Sequence, residues 1–251
     1  MDMAIGDKIV KFITNSVLQA RTVTRYREPL VGFASANDHL FTQIKQVIGP
    51  HHLHPREMLP GAKTVVAFFI PFAEDVVKAN RRDKEKIARE WAVAYIETNR
   101  LISEICQELT GVLREEGIEA VAEKPTHNFN EQDLTAGWSH KSVAFVAGLG
   151  TFGLNRMLIT ASGCAGRLGT LVISAGVPPT PRPTEELCHY HRDGKCLYCV
   201  QNCPTGALQV QQLDKQRCYK QLLEVDSLFS DLGLCDVCGK CAMGPCAMNA
   251  G

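Results

Sequence analysis

Cys196-Leu-Tyr-Cys199-Val-Gln-Asn-Cys203-Pro204, followed by Cys235-Asp-Val-Cys238-Gly-Lys-Cys241-Ala-Met-Gly-Pro245-Cys246, decides how this chain is read. The first run repeats the second half of the bacterial ferredoxin spacing C-x2-C-x2-C-x3-C-P. The full run would begin at position 193, which is Asp193, and Cys188 lies five residues earlier. The second run is one residue too long before its last cysteine, and Pro245 precedes that cysteine instead of following it. In such runs the C-x2-C thiolates grip adjacent irons, and the cysteine before proline reaches a second cluster and ties the runs together. Zinc also takes C-x2-C pairs, but one zinc site needs four ligands, from pairs about 15–20 residues apart. Here the pairs 196/199 and 235/238 are farther apart and each has further cysteines in register. The spacing therefore predicts two [4Fe–4S] clusters.

Outside this module cysteine is rare. Of 11 cysteines in 251 residues, only Cys106 and Cys164 precede Cys188. Cys106 falls on the apolar side of a helical pattern and reads as a buried hydrophobe. Cys164, between Gly163 and Gly166, reads as exposed. The change in composition coincides with Pro178, Pro179, Pro181 and Pro183. A boundary there gives an N-terminal domain over 1–180 and a cluster domain over 181–251. No basic, apolar leader opens the sequence, so dense cysteines read as metal ligands before disulfides, and the chain as soluble and cytoplasmic. The longest apolar stretch, Thr64 to Ala73, contains Pro71 and is far too short to cross a membrane. Lys+Arg and Asp+Glu are equal at 27 each, which excludes a strongly basic nucleic-acid arm or an acidic tail. A hydrophobic content of 45% excludes a disordered chain.

Along the first domain, apolar residues recur at helical spacing over 6–20, and Leu30 to Ser35 reads as a strand. Asn37 or Asp38 caps a helix to Ile48, which Gly49-Pro50 stops. The β-branched and aromatic run Thr64–Ile70 predicts a buried strand. A long helix is expected from Asp83 to Glu116, closed by Gly117, and a strand over Ile118–Ala122. A further helix is expected over Ser139–Ala147, then strands over Met157–Thr160 and Leu168–Ser174. Strands and helices mix without a βαβ alternation, so the expected class is α+β, an α/β sandwich. His51, His52 and His54 sit at spacings with poor metal geometry and read as a solvated loop. Gly148-x-Gly150-x-x-Gly153 lacks the helix and the acid that a dinucleotide site requires.

Four segments resemble the epoxyqueuosine reductase family and its corrinoid iron–sulfur relatives, which include reductive dehalogenases. They are Pro55-Arg-Glu-Met-Leu-Pro-Gly-Ala-Lys-Thr-Val-Val66, Val146-Ala-Gly-Leu-Gly-Thr-Phe-Gly-Leu-Asn155, Cys199 through Ala207, and Leu213-Asp-x3-Cys218 with Cys235-Asp-Val-Cys238. The resemblance implies a nitroreductase-like domain that binds cobalamin, followed by a ferredoxin-type domain that feeds it electrons. It implies Cys203, Cys218, Cys235 and Cys238 as one ligand set. Cys188, Cys196 and Cys199, with Cys241 or Cys246, form the other. Nine cysteines then serve eight places, and one is surplus. It places Arg56, His140, Gly150 and Gly153 near the corrinoid, with Ser139 as the competing helix cap beside a surface His140.

The same comparison exposes departures. The catalytic aspartate of the tRNA-acting members falls on Leu134, with Asp133 one residue off, and a family lysine falls on Leu154. The sequence ends five residues past Cys246, before any helical repeats. These departures, with zero net charge, argue against epoxyqueuosine reduction and against nucleic acid as a partner. The expected function is delivery of electrons from a low-potential donor, through the clusters, to a bound corrinoid. The alternatives are a ferredoxin-like carrier serving a corrinoid protein, or a reductase of a small molecule that uses FMN on the same fold.

Overall fold

The structure, a computed structural model, describes residues 4–126 and 129–250. Along the chain run α1 (Ile5–Leu18), β1 (Leu30–Ser35), α2 (Leu40–Ile48), α3 (Pro55–Met58), β2 (Thr64–Pro71), α4 (Glu74–Arg81) and α5 (Arg89–Glu115). Then come β3 (Ala120–Val121), β4 (Phe129–Asn130), β5 (Thr135–Ala136), α6 (His140–Val146), β6 (Gly150–Phe152), β7 (Leu158–Thr160) and β8 (Gly166–Ile173). The cysteine-rich segment carries α7 (His189–Asp193), α8 (Tyr198–Gln201) and α9 (Lys215–Leu228), with three short 3-10 turns after them.

Strand β2 organises the first part of the chain. All eight of its residues are buried, because apolar side chains occupy both faces of the pleat. Val66, Phe68 and Ile70 point to one side and pack with Ile9 and Ile13 of α1 and Ile102, Ile105 and Leu109 of α5. Val65, Ala67 and Phe69 point to the other and pack with Phe41 of α2 and Val143 and Ala144 of α6. Strand order is β1-β2-β8-β3, every pairing antiparallel. The result is an antiparallel sheet with helices on both faces, the layered α/β class expected from the sequence.

Local signals hold at most boundaries. The Asp38 carboxylate accepts the Leu40 N–H, Ser139 caps α6 and Asp214 caps α9. Gly117, at a φ of 74°, ends the chain's longest helix. The long helix expected from Asp83 starts six residues later, however, at Arg89, and a separate helix precedes it. Helix α4 ends at Arg81, Asp83 closes a turn by accepting from the N–H groups of Glu85 and Lys86, and α5 starts at Arg89. The carbonyls of this break face a buried cation from the cysteine-rich segment, described below.

His52 departs from the solvated loop expected of it. It is fully buried and stacked on Trp138 at 5.6 Å. Its Nε2 accepts the Ser139 N–H at 2.9 Å, so the proton sits on Nδ1, which donates to the Leu53 carbonyl at 2.9 Å. Burial lowers its pKa from 6.5 to about 4. The native state therefore holds His52 neutral while the unfolded chain protonates near pH 6.5. Its contribution is complete above pH 6.5 and is lost as pH falls toward 4. Acid unfolding of the metal-free chain should steepen in that window, by up to ~2 kcal/mol, and His52→Gln should remove the dependence. A His52→Gln variant with the same pH profile as the native chain would show that this ring is not responsible.

Candidate metal centre

Eight of the nine clustered cysteines line two spaces where the cysteine-rich segment meets the layered domain. One is a cavity of about 340 Å3 walled by Cys203, Cys218, Cys238 and Cys241, with Phe72, Trp91 and Tyr95. The other is a small space walled by Cys188, Cys196, Cys199 and Cys246, which Cys241 also touches. Electrostatic neighbours link the two spaces through Cys241, which also feels Cys199. Cys199 feels the sulfurs of Cys246, Cys188 and Cys196, whereas Cys241 feels Cys238 and Cys218 first. Among the described residues, no three His, Cys, Asp or Glu side chains meet closely enough to hold a single metal ion. The thiols surround voids instead of converging on a point.

Backbone amides reach into both spaces. The Leu154 N–H donates to the Cys188 sulfur and the Leu208 N–H to the Cys203 sulfur, each at 3.4 Å. Burial alone would raise the Cys203 thiol, but the Leu208 N–H and the Thr205 hydroxyl bring it below the usual value. This is the physical use of Cys203-Pro204-Thr205, whose turn aims donors back at the sulfur. Burial pushes Cys199 and Cys238 up to about 11 and raises Cys241 as well. These thiols hold their protons at neutral pH in the metal-free chain, and a metal or cluster must displace them.

Cys235 stands apart. It is fully buried, its sulfur faces the Ala92 carbonyl at 3.9 Å, and its charged neighbours are Asp226 and Asp236. The ligand set carried from the resemblance puts Cys235 with Cys203, Cys218 and Cys238; the cavity those three line is completed by Cys241 and Cys164, and Cys235 is not on its wall. A second difference is Cys164. Expected to be exposed, it is 3% exposed, with its sulfur 3.9 Å from that of Cys246. The backbone explains this, since Cys164 and Ala165 donate their N–H groups to the carbonyls of Cys246 and Ala247. Cys106 is buried among apolar neighbours as expected.

A buried lysine fastens the segment to the layered domain. The Lys240 ammonium donates to the Asn80 carbonyl (2.6 Å), the Asn80 Oδ1 (2.9 Å), the Asp83 carbonyl (2.8 Å) and the Lys86 carbonyl (2.7 Å). Asn80 Nδ2 answers by donating to the Cys238 carbonyl at 3.0 Å. Arg81 donates to the carbonyls of Met243 and Gly244, and Arg27 to that of Met248. Around these bonds, Phe72, Trp91, Leu154 and Ile159 pack with Val225, Phe229, Val237 and Met243 in one core.

The four residues matched to a corrinoid site are not gathered by the structure. Arg56 is exposed on α3. His140 is half-buried rather than on the surface, and both its ring nitrogens are engaged. Trp138 Nε1 donates to the Thr170 hydroxyl, that hydroxyl bonds His140 Nδ1 at 2.9 Å, and Nε2 bonds the Lys124 carbonyl at 2.7 Å. Gly150 serves sheet packing, because a Cβ there would lie 2.0 Å from the Ile159 carbonyl oxygen. Gly153 is closed in by Ile159 and Asn155. None of the four lines the 340 Å3 cavity. The residues that do, beyond the cysteines, escaped the sequence reading. Tyr95 donates to the Asp236 carboxylate at 2.6 Å, and its ring lies under the Arg167 guanidinium at 4.4 Å. Burial pushes the Tyr95 hydroxyl up to about 12. Asp133 lies exposed in the β4–β5 turn and accepts from the N–H and hydroxyl of Thr135.

This arrangement, a layered α/β domain carrying a cysteine-rich segment, has known relatives. The chain matches no protein-family model. It is 27% identical to an epoxyqueuosine reductase of Bacillus cereus and 26% to one of Bacillus anthracis, in each case over 83% of its own length and 58% of theirs. Among solved structures, an epoxyqueuosine reductase with a tRNA-Tyr stem loop matches 96% of this chain and 64% of its own, at a TM-score of 0.63 and 21% identity. A reductive dehalogenase matches 75% of this chain and 26% of its own, at a TM-score of 0.51 and 14% identity. The resemblance read from the four segments therefore stands: the chain is similar in sequence to epoxyqueuosine reductases and similar in fold to them and to reductive dehalogenases. It spans a little over half the length of those curated relatives. The relative that holds a tRNA stem loop overturns the argument against nucleic acid. That argument rested on Leu134, Leu154, the short stretch after Cys246 and the whole-chain net charge, whereas phosphates are met by local side chains and amides. No helix among the described residues is long and apolar enough to cross a membrane.

The Lys240 contacts generate a stability test. Lys240→Met keeps the length of the stem but leaves buried oxygens of the 80–86 segment without a donor. The metal-free chain should lose roughly 2–4 kcal/mol in denaturant unfolding, since buried acceptors then go unpaired. Lys240→Arg cannot fit its fork into a cage sized for an ammonium and should restore little. A loss below about 0.5 kcal/mol for Lys240→Met would place the ammonium at the surface in solution.

Proposed function

We propose that this chain is an iron–sulfur redox protein that binds two [4Fe–4S] clusters and passes electrons from a low-potential donor to an acceptor at the domain junction. The observation that carries this reading is that eight of the clustered cysteines line two spaces: Cys203, Cys218 and Cys238 one, Cys188, Cys196, Cys199 and Cys246 the other, and Cys241 both, with Cys164 also on the wall of the first. A cubane bonds four thiolates at the corners of a volume, whereas zinc needs its ligands about 2.3 Å from one point. In this reading Cys203, Cys218, Cys238 and Cys241 hold one cluster. Cys188, Cys196, Cys199 and Cys246 hold the other. Cys235 is the surplus thiol. The clusters supply one-electron steps at low potential. The chain's own residues exclude water through Phe72, Trp91 and Met157, and Lys240 places a fixed positive charge beside Cys238.

A corrinoid is the acceptor that the relatives suggest, one of them being described by B12-dependent dehalogenation. The 340 Å3 cavity suits a cluster with a small group beside it and is too small for a whole cobalamin, whose mass exceeds a kilodalton. The matched residues Arg56, His140, Gly150 and Gly153 lie outside it. Corrinoid binding is read by titration. The relatives' name makes a tRNA nucleoside epoxide the first substrate class to assay. Cobalamin and FMN, titrated separately into cluster-loaded protein, distinguish a corrinoid-reducing role from a flavin-using one by which of the two spectra changes.

Anaerobically prepared protein should be brown and hold about eight irons and eight sulfides per chain. Cys203→Ser and Cys218→Ser should each remove about half of that iron. Cys235→Ser and Cys106→Ser should leave it unchanged. Stoichiometric zinc without acid-labile sulfide would overturn the reading. Iron loss from Cys235→Ser equal to that from Cys218→Ser would overturn the ligand sets.

A further inference from the structure

Two buried side-chain polar atoms have no hydrogen-bond partner among the described residues: the indole Nε1 of Trp91 and the imidazole Nε2 of His189. A buried donor left unpaired costs roughly 1–3 kcal/mol, so each such atom in a native fold asks for an acceptor. Their positions supply the link. Trp91 lines the cavity of Cys203, Cys218, Cys238 and Cys241. His189 lines the space of Cys188, Cys196, Cys199 and Cys246. Each group of four thiols thus contains one orphaned nitrogen.

Both atoms are donors. Indole Nε1 can only donate. For His189, the neighbour decides the tautomer. Arg192 Nη2 lies 2.9 Å from Nδ1, and a guanidinium has no lone pair to offer. Nδ1 must therefore accept, which leaves the proton of the neutral ring on Nε2. The chain also makes room for the indole. Trp91 stands edge-on to Phe72, with centroids 5.0 Å apart, and lies over Gly239 in the Cys238–Cys241 loop. A Cβ at position 239 would sit 2.3 Å from the indole ring, so only glycine lets Trp91 come this close to the loop.

We propose that Trp91 and His189 each donate one N–H hydrogen bond to a sulfur of the cluster in their own group of cysteines, and that each bond holds that cluster's reduction potential up. The proposal rests on the two-cluster reading above. The acceptor is an inorganic sulfide or a cysteine sulfur, both anionic. When a cluster gains one electron from the donor, the added charge spreads onto its sulfurs. An N–H dipole aimed at sulfur then stabilises the reduced form more than the oxidised one. No proton is transferred and no bond to iron is made by either ring. Hydrogen bonding to cluster sulfurs is one of the recognised determinants of cluster potential. Here it assigns a separate adjusting residue to each centre.

The test is a spectroscopic redox titration of cluster-loaded protein, following each centre's reduced signal by electron paramagnetic resonance, with iron and sulfide measured on the same samples. Trp91→Phe keeps the aromatic packing and removes the donor. His189→Leu removes the other donor, and His189→Gln keeps an N–H at similar reach. Trp91→Phe and His189→Leu should each make reduction of one centre about tenfold less favourable, a shift of about 59 mV to lower potential for one electron. The two variants should move different centres, the double variant should move both, and His189→Gln should stay near the native potentials. Full iron and sulfide with unmoved potentials would overturn the proposal and leave the two-cluster reading intact. So would equal shifts from His189→Gln and His189→Leu, or movement of the same centre by both single variants. Native protein that lacks iron and sulfide would instead overturn the two-cluster reading.

Discussion

The Lys240 ammonium, enclosed by oxygens of Asn80, Asp83 and Lys86, is the contact on which the other features depend. It lies between Cys238 and Cys241 in sequence, so whatever fixes the lysine also fixes two thiols. It is 2% exposed, and a buried charge persists only where hydrogen bonds replace its water. The break between α4 and α5 provides that replacement, because its carbonyls are released from helical pairing. The same break presents Trp91 and Tyr95, in the first turns of α5, to the cysteine-rich segment. One cation thus couples the end of one helix, the start of the next and the walls of a cavity.

That coupling makes the layered domain part of the metal centre. Phe72, Trp91 and Leu154 come from the layered domain, and the thiols they cover come from the segment after Pro183. The pairing of Cys164 and Ala165 with Cys246 and Ala247 extends the contact along the backbone. Removing water around charged sulfurs strengthens each nearby hydrogen bond, since the local dielectric falls. The amides of Leu154 and Leu208 therefore act more strongly on Cys188 and Cys203 than they would in solvent.

Local chemistry made much of this fold legible in the sequence. The β-branched and aromatic stretch Thr64–Ile70 announced a buried strand, and Asp38 and Ser139 marked helix starts. What could not be read locally depended on partners distant in sequence. The late start of the helix expected from Asp83 falls where the Asp83 and Lys86 carbonyls receive the Lys240 ammonium. The burial of His52 requires Trp138 and the Ser139 amide, and that of Cys164 requires the backbone of Cys246. Cysteine spacing marked out the cysteine-rich segment but carried no information on what the Cys235 sulfur faces, which is the Ala92 carbonyl. The Gly-rich segment suggested a cofactor, whereas Gly150 is small because the Ile159 carbonyl crosses it. Zero net charge was too coarse to speak about nucleic acid, being a sum over the whole chain.

Anomalous diffraction at the iron edge, from crystals of anaerobically purified protein, tests the central claim most directly. The account requires two separate four-iron peaks, one within Cys203, Cys218, Cys238 and Cys241 and one within Cys188, Cys196, Cys199 and Cys246, with the Cys235 sulfur bonded to no metal. A single peak, isolated metal ions at pairs of thiols, or iron on Cys235 would contradict it.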